Sequence, residues 1–219
     1  MYTIETLDIK DGRNAPAPNT FFRQETETQH LAIFFPGFGY TSHMPVMYYP
    51  CLSLLSRGVD VLRMEFNYVK DLDFMALTVE DRRRCAAEDA LAVFVRAITE
   101  RKYNKVTLVG KSIGTRAMGH VITSVPDIPE LQCLWLTPIL KSRQLIAQIK
   151  KVGHKALFVI GTDDPYYDKS TLDDLLETTG GKSIVVSGAN HSLEIESDAI
   201  KSLQALKTIV TGIEEFLCS

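Results

Sequence analysis

The amino-acid sequence predicts an α/β fold, a mostly parallel central sheet of about seven or eight strands with helices on both faces. Three observations carry this. Short apolar or β-branched runs alternate with longer amphipathic segments from one end of the chain to the other, the mark of repeated βαβ units. The later runs are apolar at consecutive positions rather than every second one, as in parallel strands covered on both faces. Between them, apolar residues recur at helical spacing.

Taken in order, TIETLDI (residues 3–9) and TFFRQE (20–25) alternate apolar and polar side chains, the pattern of an antiparallel edge. DGRNAPAPN (11–19) reads as the turn between them. LAIFF (31–35) is followed by a helix over 46–56. The consecutive apolar runs are VDVLRMEF (59–66), KVTLV (105–109), LQCLWL (131–136), KALFVI (155–160) and SIVVS (183–187). Over 80–101, Ala87, Leu91, Phe94, Val95 and Ile98 fall on one helical face, and the charged run 81–84 forms a solvated first turn. Further helices are predicted over 114–124, 142–151, 170–178 and 198–217. No repeat, low-complexity tract or linker interrupts the pattern, so residues 1–219 are expected to form one domain.

Lys+Arg 24 against Asp+Glu 27 leaves a net charge of −3, which gives no basic field to attract nucleic acid. The opening MYTIETLDIKDGRN lacks the basic start and apolar run of a secretory leader. No apolar stretch is long enough to span a bilayer, so no membrane partner is expected and a cytoplasmic location is. Cys51, Cys85, Cys133 and Cys218 form no CxxC pair, as expected of reduced, packed thiols. The five histidines are dispersed, so no metal site is expected.

The most informative residues are Gly110-Lys111-Ser112-Ile113-Gly114, between the KVTLV strand and a helix. Glycines at both ends let the chain turn sharply, raising a serine hydroxyl beside the N–H groups of a helix N-terminus. Gly-Lys-Ser also ends a phosphate-binding P-loop, but that motif needs glycine where Lys105 stands. Gly37-Phe38-Gly39 begins a dinucleotide fingerprint, yet Ser42 occupies the third glycine position.

A serine hydroxyl is a weak nucleophile at neutral pH and needs a base, itself oriented by an acid. After the strand KALFVI comes Gly161-Thr162-Asp163-Asp164-Pro165, and after the last strand Gly188-Ala189-Asn190-His191-Ser192. In a parallel sheet these loops share one edge, so Ser112, one of the aspartates and His191 are expected to converge there. His30 and His154 precede strands, which puts them at the opposite edge; His120 lies within a helix, and His43 is given a surface or pocket-wall place.

With its serine elbow and its order Ser, Asp, His, the chain resembles the α/β-hydrolase superfamily from the strand ending at Phe35 to the final helix. The resemblance implies a hydrolase that forms an acyl-enzyme on Ser112, with His191 as base. The family's G-x-x-D turn maps from Gly161 onto Asp164 as the acid, with Asp163 in reserve and Asp168 third. It also implies an oxyanion hole made of the N–H groups of Ile113 and Phe38, Pro36-Gly37 replacing the commoner His-Gly before the latter. The segment 137–155 has room for little beyond one crossover helix, so no cap domain is expected. No cofactor is expected, and the partner is a small-molecule acyl substrate. Tyr40, Met44 and Tyr68, with Phe38 and Tyr48, are candidates for an apolar pocket, and Lys111 for a cation favouring an anionic substrate. A small carboxylesterase leads over a thioesterase or amidase and over a non-catalytic ligand-binding relative.

Overall fold

The computed structural model of the chain describes residues 1–218 other than 67, 126 and 129. Eight strands, β1 (Tyr2–Glu5), β2 (Asn19–Gln24), β3 (His30–Phe35), β4 (Asp60–Met64), β5 (Lys105–Lys111), β6 (Leu131–Leu136), β7 (Lys155–Gly161) and β8 (Lys182–Val186), each begin within one residue of the expected position. They form one sheet in the order β1-β2-β4-β3-β5-β6-β7-β8. The β1–β2 and β2–β4 pairs are antiparallel and every other pair is parallel. The alternating first two runs therefore do make an antiparallel edge.

Strand β1 ends at Glu5 rather than continuing to residue 9. Leu7 leaves the ladder because the Asn19 side chain takes over its backbone, accepting from Leu7 N–H and donating to Leu7 C=O. The following stretch, loose by composition, is pinned: Asp11 is buried and accepts from Arg13 and Ala15 N–H, while Gly12 N–H donates to buried Asp89. Burial raises the Asp89 carboxyl above its ordinary range, against the attraction of Arg13 and the hydrogen bonds from Gly12 and Tyr68. Strand β8 departs from the expectation of cover on both faces; it ends the sheet, and Val185 is exposed.

Helices α1 (Pro45–Ser56) and α7 (Ala199–Cys218) cover one face; α3 (Val79–Ala97), α4 (Ile113–Ser124), α5 (Arg143–Lys151) and α6 (Lys169–Thr179) cover the other. Leu54, Ile209, Ile213 and Phe216 bury Phe34, Val109 and Leu134, whereas Phe94, Met118, Val121 and Leu145 bury Ile33, Leu108 and Trp135. The short helix α2 (Leu72–Ala76) was not expected; five residues are too few to show a period, and it is set by Asp71, whose carboxylate accepts from Phe74 N–H. Helix α3 starts at a Thr78 cap and stops short of residue 101.

Between β6 and β7 lies α5 alone, so among the described residues no cap domain is inserted at that connection. Parallel register aligns the carboxyl edge of the sheet: Phe35 pairs with Gly110, Lys111 with Leu136, and Gly161 with Val186. His30 and His154 sit at the amino edge, where burial draws both below the ordinary histidine range, His30 to about 4. Among the described residues no helix is long and apolar enough to cross a membrane.

Candidate active site

Ser112 occupies the single position between β5 and α4, with φ 54° and ψ −116°. For a residue with a Cβ this backbone costs about 1–3 kcal/mol, so the surroundings must impose it. Ser112 N–H donates to Leu136 C=O (3.1 Å), and Ser112 C=O accepts from both N–H (3.0 Å) and hydroxyl (2.6 Å) of Thr115. The elbow is thus tied to β6 on one side and to its own helix on the other.

His191 stands with Nε2 2.8 Å from Ser112 Oγ and Nδ1 2.7 Å from Asp164 Oδ2. With Nδ1–H donated to the carboxylate, Nε2 presents a lone pair to the serine hydroxyl; this tautomer follows from the hydrogen bonds. Asp164 is 3% exposed, and its other oxygen accepts from Tyr166 N–H at 2.8 Å. Asp163 is exposed and accepts from the Thr162 hydroxyl, while Asp168 caps α6 through Thr171 N–H. Of the three candidate aspartates, the structure brings only Asp164 to His191. His43 is mostly exposed and pairs with Glu65; His120 lies on α4 near Ser124.

The segment after β3 lies against the elbow. A Cβ on Gly37 would stand 3.5 Å from Ser112 Cβ, and Gly37 N–H donates to Tyr40 C=O, closing a turn with Gly39 at φ 78°. Phe38 is at the tip of this turn, half-exposed. Ile113 opens α4, and the first N–H groups of a helix have no partner inside it.

The pocket candidates divide. Tyr40 lines a groove of about 580 Å³ with Val46, Leu193, Leu203 and Leu206, its hydroxyl accepting from Val46 N–H. Met44 is exposed just before α1 and is not among the residues lining that groove. Tyr68 is a correction. It is buried, stacked between Phe66 and Phe74, and donates its hydroxyl to Asp89, so it packs under the loop.

Lys111 is a second correction. Instead of projecting toward a substrate it is 1% exposed, donating to Thr137 Oγ1 (2.9 Å) and His191 C=O (2.8 Å) with Tyr40's ring 4.4 Å away. It joins the elbow, the β6 end, the histidine loop and the segment after β3. Burial pulls its ammonium down to about 8, against the attraction of Asp164 and Glu194. Between about pH 8 and 10.5 the folded chain releases a proton that the unfolded chain keeps, so this group's share of stability rises with pH. Wild type is expected to gain up to about 3 kcal/mol relative to Lys111→Met across that window. Urea unfolding of both proteins at pH 7.5 and 10 checks it; a pH-independent difference would refute it.

Two neighbours escaped sequence reasoning. Tyr166 sets its ring edge-on to His191 at 5.3 Å, and Thr137, at φ 43°, receives Lys111. Nothing local in a Tyr-Tyr or Leu-Thr-Pro string distinguishes either. Among the described residues no group of His, Cys, Asp and Glu could hold a metal ion.

The whole-chain geometry has close counterparts. Dienelactone hydrolase from Anabaena variabilis superposes with a TM-score of 0.75 at 16% identity, over 99% of this chain and 97% of that one. An esterase from Pyrococcus furiosus gives 0.71 at 13%, over 99% and 92%. A Xanthomonas campestris protein described as an α/β serine hydrolase without lid gives 0.62 at 19%, over 96% and 94%. At these identities the likeness is one of fold. A sequence comparison with curated proteins finds no match. A family profile described as "Alpha/beta hydrolase domain" matches residues 28–217, nearly the whole chain. The chain belongs to this alpha/beta hydrolase family.

Proposed function

We propose that the protein is a serine hydrolase that cleaves a small carboxylic ester through an acyl-enzyme on Ser112. The observation that carries this reading is the unbroken hydrogen-bonded line from Ser112 Oγ through His191 to buried Asp164, at 2.8 and 2.7 Å, on a serine held at positive φ.

In this reading His191 Nε2 accepts the Ser112 proton as Oγ bonds to the ester carbonyl carbon. The carbonyl oxygen becomes an oxyanion that accepts from the N–H groups of Ile113 and Phe38. Donors of this kind are worth about 3 kcal/mol each. His191 returns the proton to the departing alkoxide as the C–O bond breaks. Water then repeats the sequence, releasing the acid and restoring Ser112. Asp164 holds the imidazole in the required tautomer and stabilises its cation. The uncapped sheet edge favours small or accessible esters, in keeping with the esterase and lidless hydrolase among the fold's counterparts. A cytoplasmic setting is part of the proposal, supported by four free thiols, three of them buried.

A fluorophosphonate probe is expected to label Ser112, and turnover of 4-nitrophenyl acetate should fall about 10⁴-fold in Asp164→Asn and little in Asp163→Asn. Absence of labelling, or labelling that survives Ser112→Ala, would sink the proposal. Equal losses in the two Asn variants would remove Asp164 from its role.

A further inference from the structure

Arg116 stands four residues beyond Ser112 on α4, and its Nε–H is buried without a hydrogen-bond partner. The neighbouring arginines of α3 are matched, Arg83 to Glu80 and Arg84 to Asp81, but Arg116 has no ion pair among the described residues. A buried donor left unmade is costly, and more so on a charged group, so a native structure rarely retains one without use.

Its placement points to a use. Ile113 and Arg116, three apart on α4, share a helix face, and helical side chains lean toward the N-terminus. The Arg116 stem therefore runs back over the turn that begins at Ser112 and Ile113. Ser112, Ile113 and Arg116 are all partly exposed, while Gly114, Thr115 and Ala117 are buried, and Arg116 lies within electrostatic reach of Tyr166, whose ring is 5.3 Å from that of His191. Burial and the nearby charge of Arg83 both work against the guanidinium, lowering it from its ordinary value, against weaker support from Tyr166 and Glu80. A ligand carboxylate would supply both the counter-charge and the missing acceptor, in the two-pronged geometry a guanidinium fits. Lys111, the residue before the serine, is already committed to Thr137 and His191. The groove on the Tyr40 side bears Glu194 and Asp198, which disfavour an anion there.

We propose that Arg116 is a carboxylate receptor at the mouth of the Ser112 site, selecting esters whose acyl group ends in a carboxylate. The substrate class rests on the hydrolase reading above; the receptor itself does not. Half-esters of short dicarboxylic acids such as glutarate carry an ester carbonyl and a carboxylate on one short chain and are the simplest members of this class.

The test compares kcat/KM for 4-nitrophenyl hemiglutarate with that for its neutral analogue, 4-nitrophenyl pentanoate. Wild type should favour the hemiglutarate, and the ratio should fall about 10- to 100-fold in Arg116→Gln, recover in part in Arg116→Lys, and hold in Arg83→Gln. In parallel, glutarate should raise the melting temperature of Ser112→Ala, glutaramide should not, and adding Arg116→Gln should remove the effect. Equal use of both esters by wild type, or a ratio unchanged in Arg116→Gln, overturns the proposal. If neither ester is cleaved but the Arg116-dependent glutarate shift remains, the hydrolase reading falls and the receptor stands. If neither ester is cleaved and glutarate gives no shift, both fall.

Discussion

Ser112→Ala is expected to lower kcat for 4-nitrophenyl acetate by about 10⁴- to 10⁶-fold while leaving the melting temperature within a few degrees of wild type. The asymmetry follows from what the hydroxyl touches. Among the described residues Oγ hydrogen-bonds to His191 Nε2 alone, a bond worth about 1 kcal/mol net. In the proposed reaction the same atom forms the covalent bond, so its removal abolishes that route. Because serine and histidine would act as one unit, Ser112→Ala/His191→Ala should be scarcely slower than either single variant. Steady-state kinetics of all three, with melting curves, decide it: multiplying losses, or an active Ser112→Ala, would exclude the acyl-enzyme route.

The largest structural effect is expected at Gly114. A Cβ there would lie 2.1 Å from Phe35 O and 2.7 Å from Pro36 O, both backbone atoms at the end of β3. No rotamer change relieves such a contact; α4 must move away from the sheet. Gly114→Ala is therefore expected to cost about 3 kcal/mol or more and to lower Tm by about 10 °C. Gly153→Ala, with nothing within 4 Å and no positive φ, is the control and should stay within about 0.5 kcal/mol of wild type. The same displacement would part Ile113 from the Phe38 turn, so activity should fall beyond what the melting curve explains. A Gly114→Ala protein as stable as wild type would show that the close approach is not required. Gly161 is a similar case at the neighbouring strand end, where a Cβ would meet Ala189 O at 2.0 Å, just ahead of His191.

These glycines show how sequence and structure divide the explanation. Gly110 and Gly114 marked a sharp strand-to-helix turn in the sequence, and the turn is there; yet neither has positive φ, and the residue that takes the strained backbone is Ser112 itself. The glycines are needed for the space they leave. At Gly110 the close atom is local, Gly114 O at 2.8 Å from a Cβ, whereas at Gly114 it is Phe35 O, which belongs to another strand.

Much of the architecture is local in the same sense. Consecutive apolar runs, helical spacing and turn residues act over a few positions, so the starts of eight strands, the long helices and the absence of an inserted cap can be read from residue order alone. So can the meeting of Ser112, His191 and an aspartate, because parallel strands bring their carboxyl ends to one edge. What residue order leaves open depends on which side chain faces which neighbour once the layers close. Asp163 and Asp164 are identical in chemistry and adjacent in the chain, and only packing buries one against His191 while leaving the other in water. Lys111 loses its expected place beside a substrate for the same reason. Packing encloses the lysine, which takes up acceptors from two other loops, and leaves Arg116, outside every sequence motif, with a buried donor unmatched among the described residues. Burial and hydrogen-bond satisfaction are properties of the assembled layers, so they become visible only in three dimensions.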